Sequence, residues 1–542
     1  MSFSQSIRFV ARYRFGVLSA LVVLLALFLR AWQFGSLPAS LYFEEPALGY
    51  DAYSIFKTGK DMHGNFFPIV AFPSFGDYKP SGYFYLTAPF VGILGMSEAS
   101  VRLPSLLLGM ITVLMVMVMS QRMFNNRIIT IFSSLAIAVM PTAVHLSRAA
   151  FEVNAAVGLL SISLASVIWT KKHKALLPLS MLFLAASMYT YHSLRFTAPL
   201  LYLLTFFIFL NPIERMRSKI TWVSAGLFFV LILPILMAIR SPEVAHRFQE
   251  VAFFPHYSQA VAITNEQRAI HGNAFWSRVV YHRYWIQAHE FSQNILKHFS
   301  PEFLLVRGDG NLRHQDASKG LLYWWMFGAI TISLLIALLR KKVSWRTVLF
   351  FSLGLVVCAI PASLAVPVPH TLRNHTSVIL WSLVVGWAAA KIYLHVHKRP
   401  LLVIGLSIII LAETSSSWGK YFSYYNQKSF ADWVYGYKQV AAFIKHETAG
   451  NESIYFARDY GRPITYMLFY LSSDPQLVQA SDGGAPKDQQ ERLSFANIDF
   501  VDNQKAYDWR IESQPLSRSD YSLQSVVEDP NQNPVFYLYK KQ

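Results

Sequence analysis

Long apolar runs alternate along the chain with short loops rich in lysine and arginine. A helix needs about 20 mainly apolar residues to cross the hydrocarbon core of a bilayer. Eleven runs approach that length: 15–32, 103–120, 128–144, 155–169, 175–189, 196–210, 221–239, 321–339, 348–366, 377–394 and 401–412. The pattern predicts a polytopic α-helical membrane protein with about eleven transmembrane helices. The first run has the look of a signal-peptide core, but Trp32-Gln33-Phe34 follows it where a small-residue cleavage site would stand. It therefore reads as an uncleaved first helix.

Charge orients these runs, because short cytoplasmic loops collect Lys and Arg. Alternate loops carry Arg122 and Arg127; Lys171, Lys172 and Lys174; Arg215, Arg217 and Lys219; Arg340, Lys341, Lys342 and Arg346; and Lys398 and Arg399. All fall on the side of the N-terminus, which predicts a multi-pass plasma-membrane protein with a cytoplasmic N-terminus and an extracytoplasmic C-terminal domain. Composition agrees: of 542 residues 54% are hydrophobic and 15% charged, and the mean hydropathy is +0.32, against about 25% charged in a soluble domain. The net charge of +17 follows from loop topology and calls for no nucleic acid partner. With one cysteine, Cys358, a disulfide framework is excluded.

The predicted organisation is a membrane domain over 1–412, with outer loops 33–102 and 240–320, and an extracytoplasmic α/β domain over 413–542. Residues 83–95 are apolar but too short to span, and they read as a helix lying in the outer interface. In the tail, 453–457 and 496–501 are strand-like, and 433–445 and 463–471 are helical candidates. The tail holds no glycine-rich phosphate loop, CxxC pair or metal-ligand spacing. Trp433, Tyr435 and Tyr437 are candidates for stacking on sugars, although buried packing is the ordinary use of such rings.

Ionisable groups at a membrane boundary are kept for use or for pairing. The adjacent carboxylates Glu44 and Glu45 follow the first run; Asp77 and Lys79 precede the interfacial helix; Arg148 and Glu152 sit between the third and fourth runs. All project to the outer boundary, where a carboxylate can take a proton from a hydroxyl and a cation can hold a phosphate. The segment from Arg307 to His314 adds Asp309, which reads as a structural turn residue between glycines, and the loop 367–374 adds His370 and Arg373. Blander readings stand beside these. Arg102 reads as snorkelling to the lipid surface, and Arg148 and Glu152, four apart, are spaced for a helix-surface pair.

The combination resembles the GT-C superfamily of integral-membrane glycosyltransferases, and within it the protein mannosyltransferase and aminoarabinose transferase group. The resemblance is carried by Glu44-Glu45-Pro46-Ala47-Leu48-Gly49-Tyr50-Asp51-Ala52-Tyr53, by Tyr78-Lys79-Pro80 before the aromatic helix, and by Arg102-Leu103-Pro104-Ser105 entering the second span. It is strongest over 30–155 and extends by topology to about 412.

The resemblance implies an inverting glycosyltransferase that moves a hexose or pentose from a polyprenyl-phosphate donor to an acceptor hydroxyl on the outer face. The acceptor would be protein, lipid or polysaccharide, and membrane lipid is a further partner; no cofactor and no metal is expected. By position, Glu44 takes the place of the general base. The family often has aspartate there, so Glu44 and Glu45 both remain candidates. Lys79 aligns with a lysine that contacts the donor phosphate, and Glu152 falls near a second acidic position. Arg373 and His370 are donor-phosphate candidates from location. The alternative readings are a lipid-linked glycan ligase and a lipid-sugar transporter or flippase.

Overall fold

The structure, a computed structural model, describes residues 3–74, 77–210, 212–238, 257–316, 319–340, 344–481 and 494–542. It is mainly helical. Among the described residues, seven helices are long and apolar enough to cross a membrane: Tyr13–Ala31, Glu98–Phe124, Glu152–Trp169, Lys219–Ala238, Trp345–Ser363, Ser377–Val396 and Pro400–Ser429. Shorter apolar helices are Gly82–Leu94, Arg127–Val139, Leu176–Thr190, Leu194–Phe209 and Trp324–Ala337. Each apolar run of the sequence falls on one of these, and Gly82–Leu94 is the element read as interfacial.

Two boundaries differ from the sequence reading. The run 128–144 is broken: Met140 is extended at ψ 125°, and a separate helix starts at Pro141. A residue before proline is pushed out of the helical region, which explains the break. The boundary at 412 lies inside the helix Pro400–Ser429, which continues for 30 residues.

The chain forms two compact units. The first holds Met1–Leu29, Leu108–Leu146 and Val153–Ser417; the second holds Arg30–Leu107, Ser147–Glu152 and Trp418–Gln542. The tail thus shares a unit with the first outer loop.

The first unit is a helical bundle joined by small residues and buried hydroxyls. Arg127–Val139 begins at Asn126, whose side chain accepts from the amides of Ile128 and Ile129, the usual way to satisfy a helix start. It packs on Ser377–Val396, where a Cβ on Gly386 would run into Ser133 backbone. Ser180 and Tyr202 share a hydrogen bond of 2.7 Å, and Ser163 donates to the Ser180 carbonyl at 2.7 Å. With no hydrophobic drive between helices in lipid, close approach and such bonds supply the association.

The second unit is built from loop and tail together. The helix Glu44–Thr58 ends at Gly59, which adopts φ 71° and returns its N–H to the Ile55 carbonyl, a left-handed stop that glycine takes without strain. A hairpin of β1 (Ala71–Ser74) and β2 (Asp77–Pro80) precedes Gly82–Leu94. The tail adds a six-stranded sheet of β3 (Ile454–Phe456), β4 (Ser494–Phe495), β5 (Ile498–Asp499), β6 (Trp509–Glu512), β7 (Tyr521–Glu528) and β8 (Pro534–Lys541), in the order β4-β5-β3-β6-β8-β7. Its centre, β5-β3-β6, is parallel and its flanks antiparallel.

Loop and tail interlock through Gly49, where an added Cβ would stand 2.6 Å from both Phe469 and Val101. Tyr50 Oη donates to the Ser473 carbonyl at 3.1 Å, and Tyr466 Oη to the Leu41 carbonyl at 2.8 Å. The strand expected at 453–457 and the helix at 463 are present, but the run 496–501 is not one strand: Ala496, at φ 51°, and Asn497 form a turn, and only Ile498–Asp499 is strand. The helix expected from 433 starts instead at Tyr437, because Gly436 takes φ 114°. Trp433 and Tyr437 are buried, so both rings serve packing.

Candidate functional site

In the second unit three ionisable side chains from distant segments converge. Glu44 opens the helix Glu44–Thr58 and Glu152 opens Glu152–Trp169, so each carboxylate sits where unpaired backbone amides favour negative charge. Lys79 pairs with Phe72 across the β1–β2 hairpin, which places both on one face of that ribbon. Phe72 is fully buried and stacks on Phe84 with ring centres 4.1 Å apart, so the hairpin is anchored on the helix that follows it. Lys79 Nζ lies 2.7 Å from Glu44 Oε1 and 4.0 Å from Glu152 Oε1. Side-chain exposure is 14% for Lys79, 40% for Glu44 and 12% for Glu152. Glu44 is therefore the open end of the group.

Glu45 has a different position. Its Oε1 accepts from Arg102 Nε at 3.0 Å and the Ala150 amide at 2.7 Å; its Oε2 accepts from Arg102 Nη2 at 2.9 Å and the Tyr42 amide at 3.0 Å. With four donors around it and 5% exposure, this carboxylate is engaged on both oxygens. Arg102 also donates to the carbonyls of Pro38 and Ser40 at 2.9 and 2.5 Å, and its guanidinium lies over the Trp433 ring. The snorkelling expected of Arg102 is thus corrected: the side chain is fully buried, because a carboxylate and two carbonyls replace the water it would otherwise seek.

Arg148 is corrected in the same way. Residues 147–150 form a turn ahead of the helix that starts at Glu152, so helical spacing does not apply between them. Arg148 instead gathers the carbonyls of Arg30, Trp32, Gln33 and Leu37 at 2.6 to 3.2 Å. Burial, offset in part by Tyr421, lowers the pKa of this arginine. Together Glu45, Arg102 and Arg148 fix the loop ends that carry Glu44 and Glu152. Asp77 belongs to β2 by its backbone; its side chain lies outside the described residues.

Asp51, a turn and a half beyond Glu45 on the same helix, is buried and accepts from the Met62 amide at 2.8 Å. Burial, and then the nearby charge of Asp61, push its pKa up to about 8.

His370 and Arg373 belong to the first unit. There Asp309 Oδ2 meets His314 Nδ1 at 2.6 Å and the Thr371 amide at 2.9 Å. The His314 and His370 rings stack with centres 5.2 Å apart, and the His370 amide donates to His298 Nε2 at 3.1 Å. Burial, then the charge of Arg373, holds His370 well below the usual histidine range. Burial works against the Asp309 carboxylate, but bonds from His314, Thr371 and Asn311 outweigh it and hold its pKa down.

The sequence signal for Arg102 was its place at the head of an apolar run, where an arginine is rare unless used. Nothing local marked Asp309 and His314 as neighbours of His370, since their meeting depends on the packing of two loops.

Residues 78–237 match the family described as dolichyl-phosphate-mannose-protein mannosyltransferase. Among curated proteins no sequence match is found. The fold is similar to that of ArnT from Cupriavidus metallidurans in the apo state, with 13% identity, a TM-score of 0.53 and 98% of both chains covered. It is similar to the same protein bound to undecaprenyl phosphate, with 12% identity, a TM-score of 0.52, and 99% of this chain and 98% of that one covered. A third likeness is to the oligosaccharyltransferase AglB from Archaeoglobus fulgidus, in complex with an inhibitory peptide and a dolichol-phosphate. Here identity is 13%, the TM-score is 0.50, and the match covers 85% of this chain but only 64% of that protein's length. These likenesses show the fold, which this chain shares with ArnT over nearly its whole length, in line with the resemblance read from the sequence.

Proposed function

We propose that this protein is an inverting glycosyltransferase that moves a sugar from a polyprenyl-phosphate donor to an acceptor hydroxyl on the outer face of the membrane. The observation that carries the reading is the placement of Lys79 Nζ 2.7 Å from Glu44 Oε1 and 4.0 Å from Glu152 Oε1. The mannosyltransferase family match begins one residue before that lysine, and the undecaprenyl phosphate of the similar ArnT supports a lipid-phosphate donor.

The chemistry follows from these charges. A polyprenyl phosphate leaves as an anion, so it needs charge neutralisation more than a proton. Lys79 supplies that neutralisation as the bond from the anomeric carbon to phosphate oxygen breaks. An arriving phosphate competes with Glu44 for the ammonium group. Glu44, released from its ion pair and the most open of the three, then takes the proton of the acceptor hydroxyl. The hydroxyl oxygen attacks from the side opposite the phosphate, which inverts the anomeric centre. Glu152 stays beside Lys79 and holds it between two carboxylates. Glu45 is left out of the proton transfer, because its four donors fix it as an ion-pair partner. Lys79 carries the donor-phosphate role in this reading, with Arg373 and His370 kept as candidates from their location in the sequence, and no metal is assigned to the transfer step.

The test uses purified protein in liposomes with radiolabelled undecaprenyl-phosphate hexose and membrane extract as acceptor source. Label leaving the lipid for an acceptor, with undecaprenyl phosphate as co-product and loss of both in Glu44→Gln, is the expected result. Label that crosses the bilayer still attached to lipid, unaffected by Glu44→Gln, would overturn the reading in favour of a carrier.

A further inference from the structure

We propose that Asp309, His314 and His370 form a binding site for a divalent transition metal of the zinc class, which ties two loops of the first unit together. One carboxylate oxygen and one ring nitrogen from each histidine all lie within 4.8 Å of one another. In a tetrahedral zinc site with bonds of about 2.0–2.1 Å, ligand atoms stand about 3.3 Å apart. The set is therefore wider than a closed site by up to about 1.5 Å, and binding would draw the three side chains together.

The donor set suits the ion. Two imidazoles and one carboxylate are borderline ligands that select zinc over magnesium or calcium, which prefer all-oxygen shells. Three protein ligands leave a fourth position for water. The surroundings are already ordered as a metal site requires. Asp309 Oδ1 accepts from the Asn311 amide at 3.0 Å and Oδ2 from the Thr371 amide at 2.9 Å, so the carboxylate is aimed before any ion arrives. Gly308 and Gly310, at φ 56° and 75°, make the turn that presents Asp309. The amide of His370 is held by His298, whose Nδ1 in turn faces the Asn294 carbonyl at 2.9 Å.

A second observation points to a ligand. His370 Nδ1 is buried and makes no hydrogen bond, and a buried polar atom without a partner is destabilising. Metal coordination to the imidazole gives that ring a partner. The nearby charge of Arg373 opposes a cation, and the Asp309 carboxylate offsets it. On binding, the ion replaces the proton held between His314 Nδ1 and Asp309 Oδ2, and that proton passes to water. The ion would link residues 309–314 to residue 370, a junction between segments far apart in sequence, so its effect is on stability rather than on the transfer step.

The full-length protein, stripped with chelator and dialysed against buffer, is titrated with Zn2+ and separately with Co2+. The expected result is about one tightly held equivalent per chain, a rise in Tm on binding, and a visible cobalt absorption typical of tetrahedral nitrogen and oxygen ligands. His370→Ala and Asp309→Asn should each weaken binding by more than the about 10–100-fold typical of a change behind the ligands. Because either variant could unfold, the cobalt spectrum of the unmodified protein stands as an independent readout. Absence of a tetrahedral cobalt band, or zinc retained equally by folded His370→Ala, would overturn the proposal and leave a metal-free hydrogen-bonded cluster.

Discussion

Glu45 and Arg102, 57 residues apart, face each other through two hydrogen bonds of 2.9 and 3.0 Å in a site closed to solvent. The guanidinium and the carboxylate meet in the bidentate geometry that makes such pairs specific. Around them the Tyr42 and Ala150 amides and the Pro38 and Ser40 carbonyls complete the shell. The pair thus joins the segment before Glu44, the start of the second long helix and the turn that leads to Glu152.

Removing one partner of this pair should be costly. Arg102→Met leaves a buried carboxylate without its counter-charge, and losses of about 3–5 kcal/mol are typical of that situation. The Tm of Arg102→Met in detergent should fall well below that of the wild type, with donor binding and turnover falling together. Glu45→Gln with Arg102→Met should recover part of the loss. A single variant as stable as the wild type would contradict the role assigned to the pair.

Glu44 and Glu45 should separate experimentally although they are adjacent in sequence. A general base contributes about 10²–10⁴-fold, so Glu44→Gln should lower kcat by that order while the protein keeps its Tm and its affinity for the lipid donor. Glu45→Gln should lower Tm. Measuring both quantities on both variants distinguishes them; full turnover in Glu44→Gln would remove Glu44 from the reaction.

Lys79→Ala should weaken donor capture as well as turnover, because the same ammonium group holds the phosphate before and during bond breaking. Equilibrium binding of undecaprenyl phosphate to the purified variant provides the check. Binding unchanged from the wild type would contradict the phosphate role.

Much of this arrangement was legible along the chain. The apolar runs and charged loops gave the helices, and Glu44, Lys79 and Glu152 stood at helix and hairpin boundaries where a membrane protein keeps usable charge. What could not be read was which of two neighbouring glutamates is open and which is engaged. That depends on Arg102 and on the backbone amide of Ala150, and an amide carries no side-chain signature. The interlock of Gly49 with Phe469 was equally hidden, because it joins segments more than 400 residues apart. The tail's later strands, β6 to β8, were not among the expected ones, although Val535-Phe536-Tyr537-Leu538-Tyr539 of β8 is a run of strand-favouring residues.

The Gly49 contact makes its own prediction. Any side chain there meets Phe469 and Val101 at 2.6 Å, and overpacking of this kind typically costs about 1–3 kcal/mol. Gly49→Val should lower Tm and expose the tail to limited proteolysis. A variant as protease-resistant as the wild type would mean that the helix Glu44–Thr58 does not depend on this close approach.

Asp51 gives the stability of the protein a pH dependence whose sign can be worked out. Burial and the charge of Asp61 raise its folded pKa to about 8 from an ordinary 3.8, with His63 acting in the opposite direction. Below the ordinary value both folded and unfolded chains hold the proton, and the buried acid is neutral at no penalty. Between the two values the unfolded chain has released its proton while the folded chain keeps it. Stability therefore falls as pH rises, with a slope from this group that approaches about 1.4 kcal/mol per pH unit. Above the raised value the folded carboxylate ionises as well and the loss is complete. Asp51→Asn keeps an oxygen to accept from the Met62 amide but cannot ionise, so its Tm should vary less than that of the wild type between about pH 5 and 8. Parallel Tm curves for the two proteins across that range would show that Asp51 is already charged in the folded state.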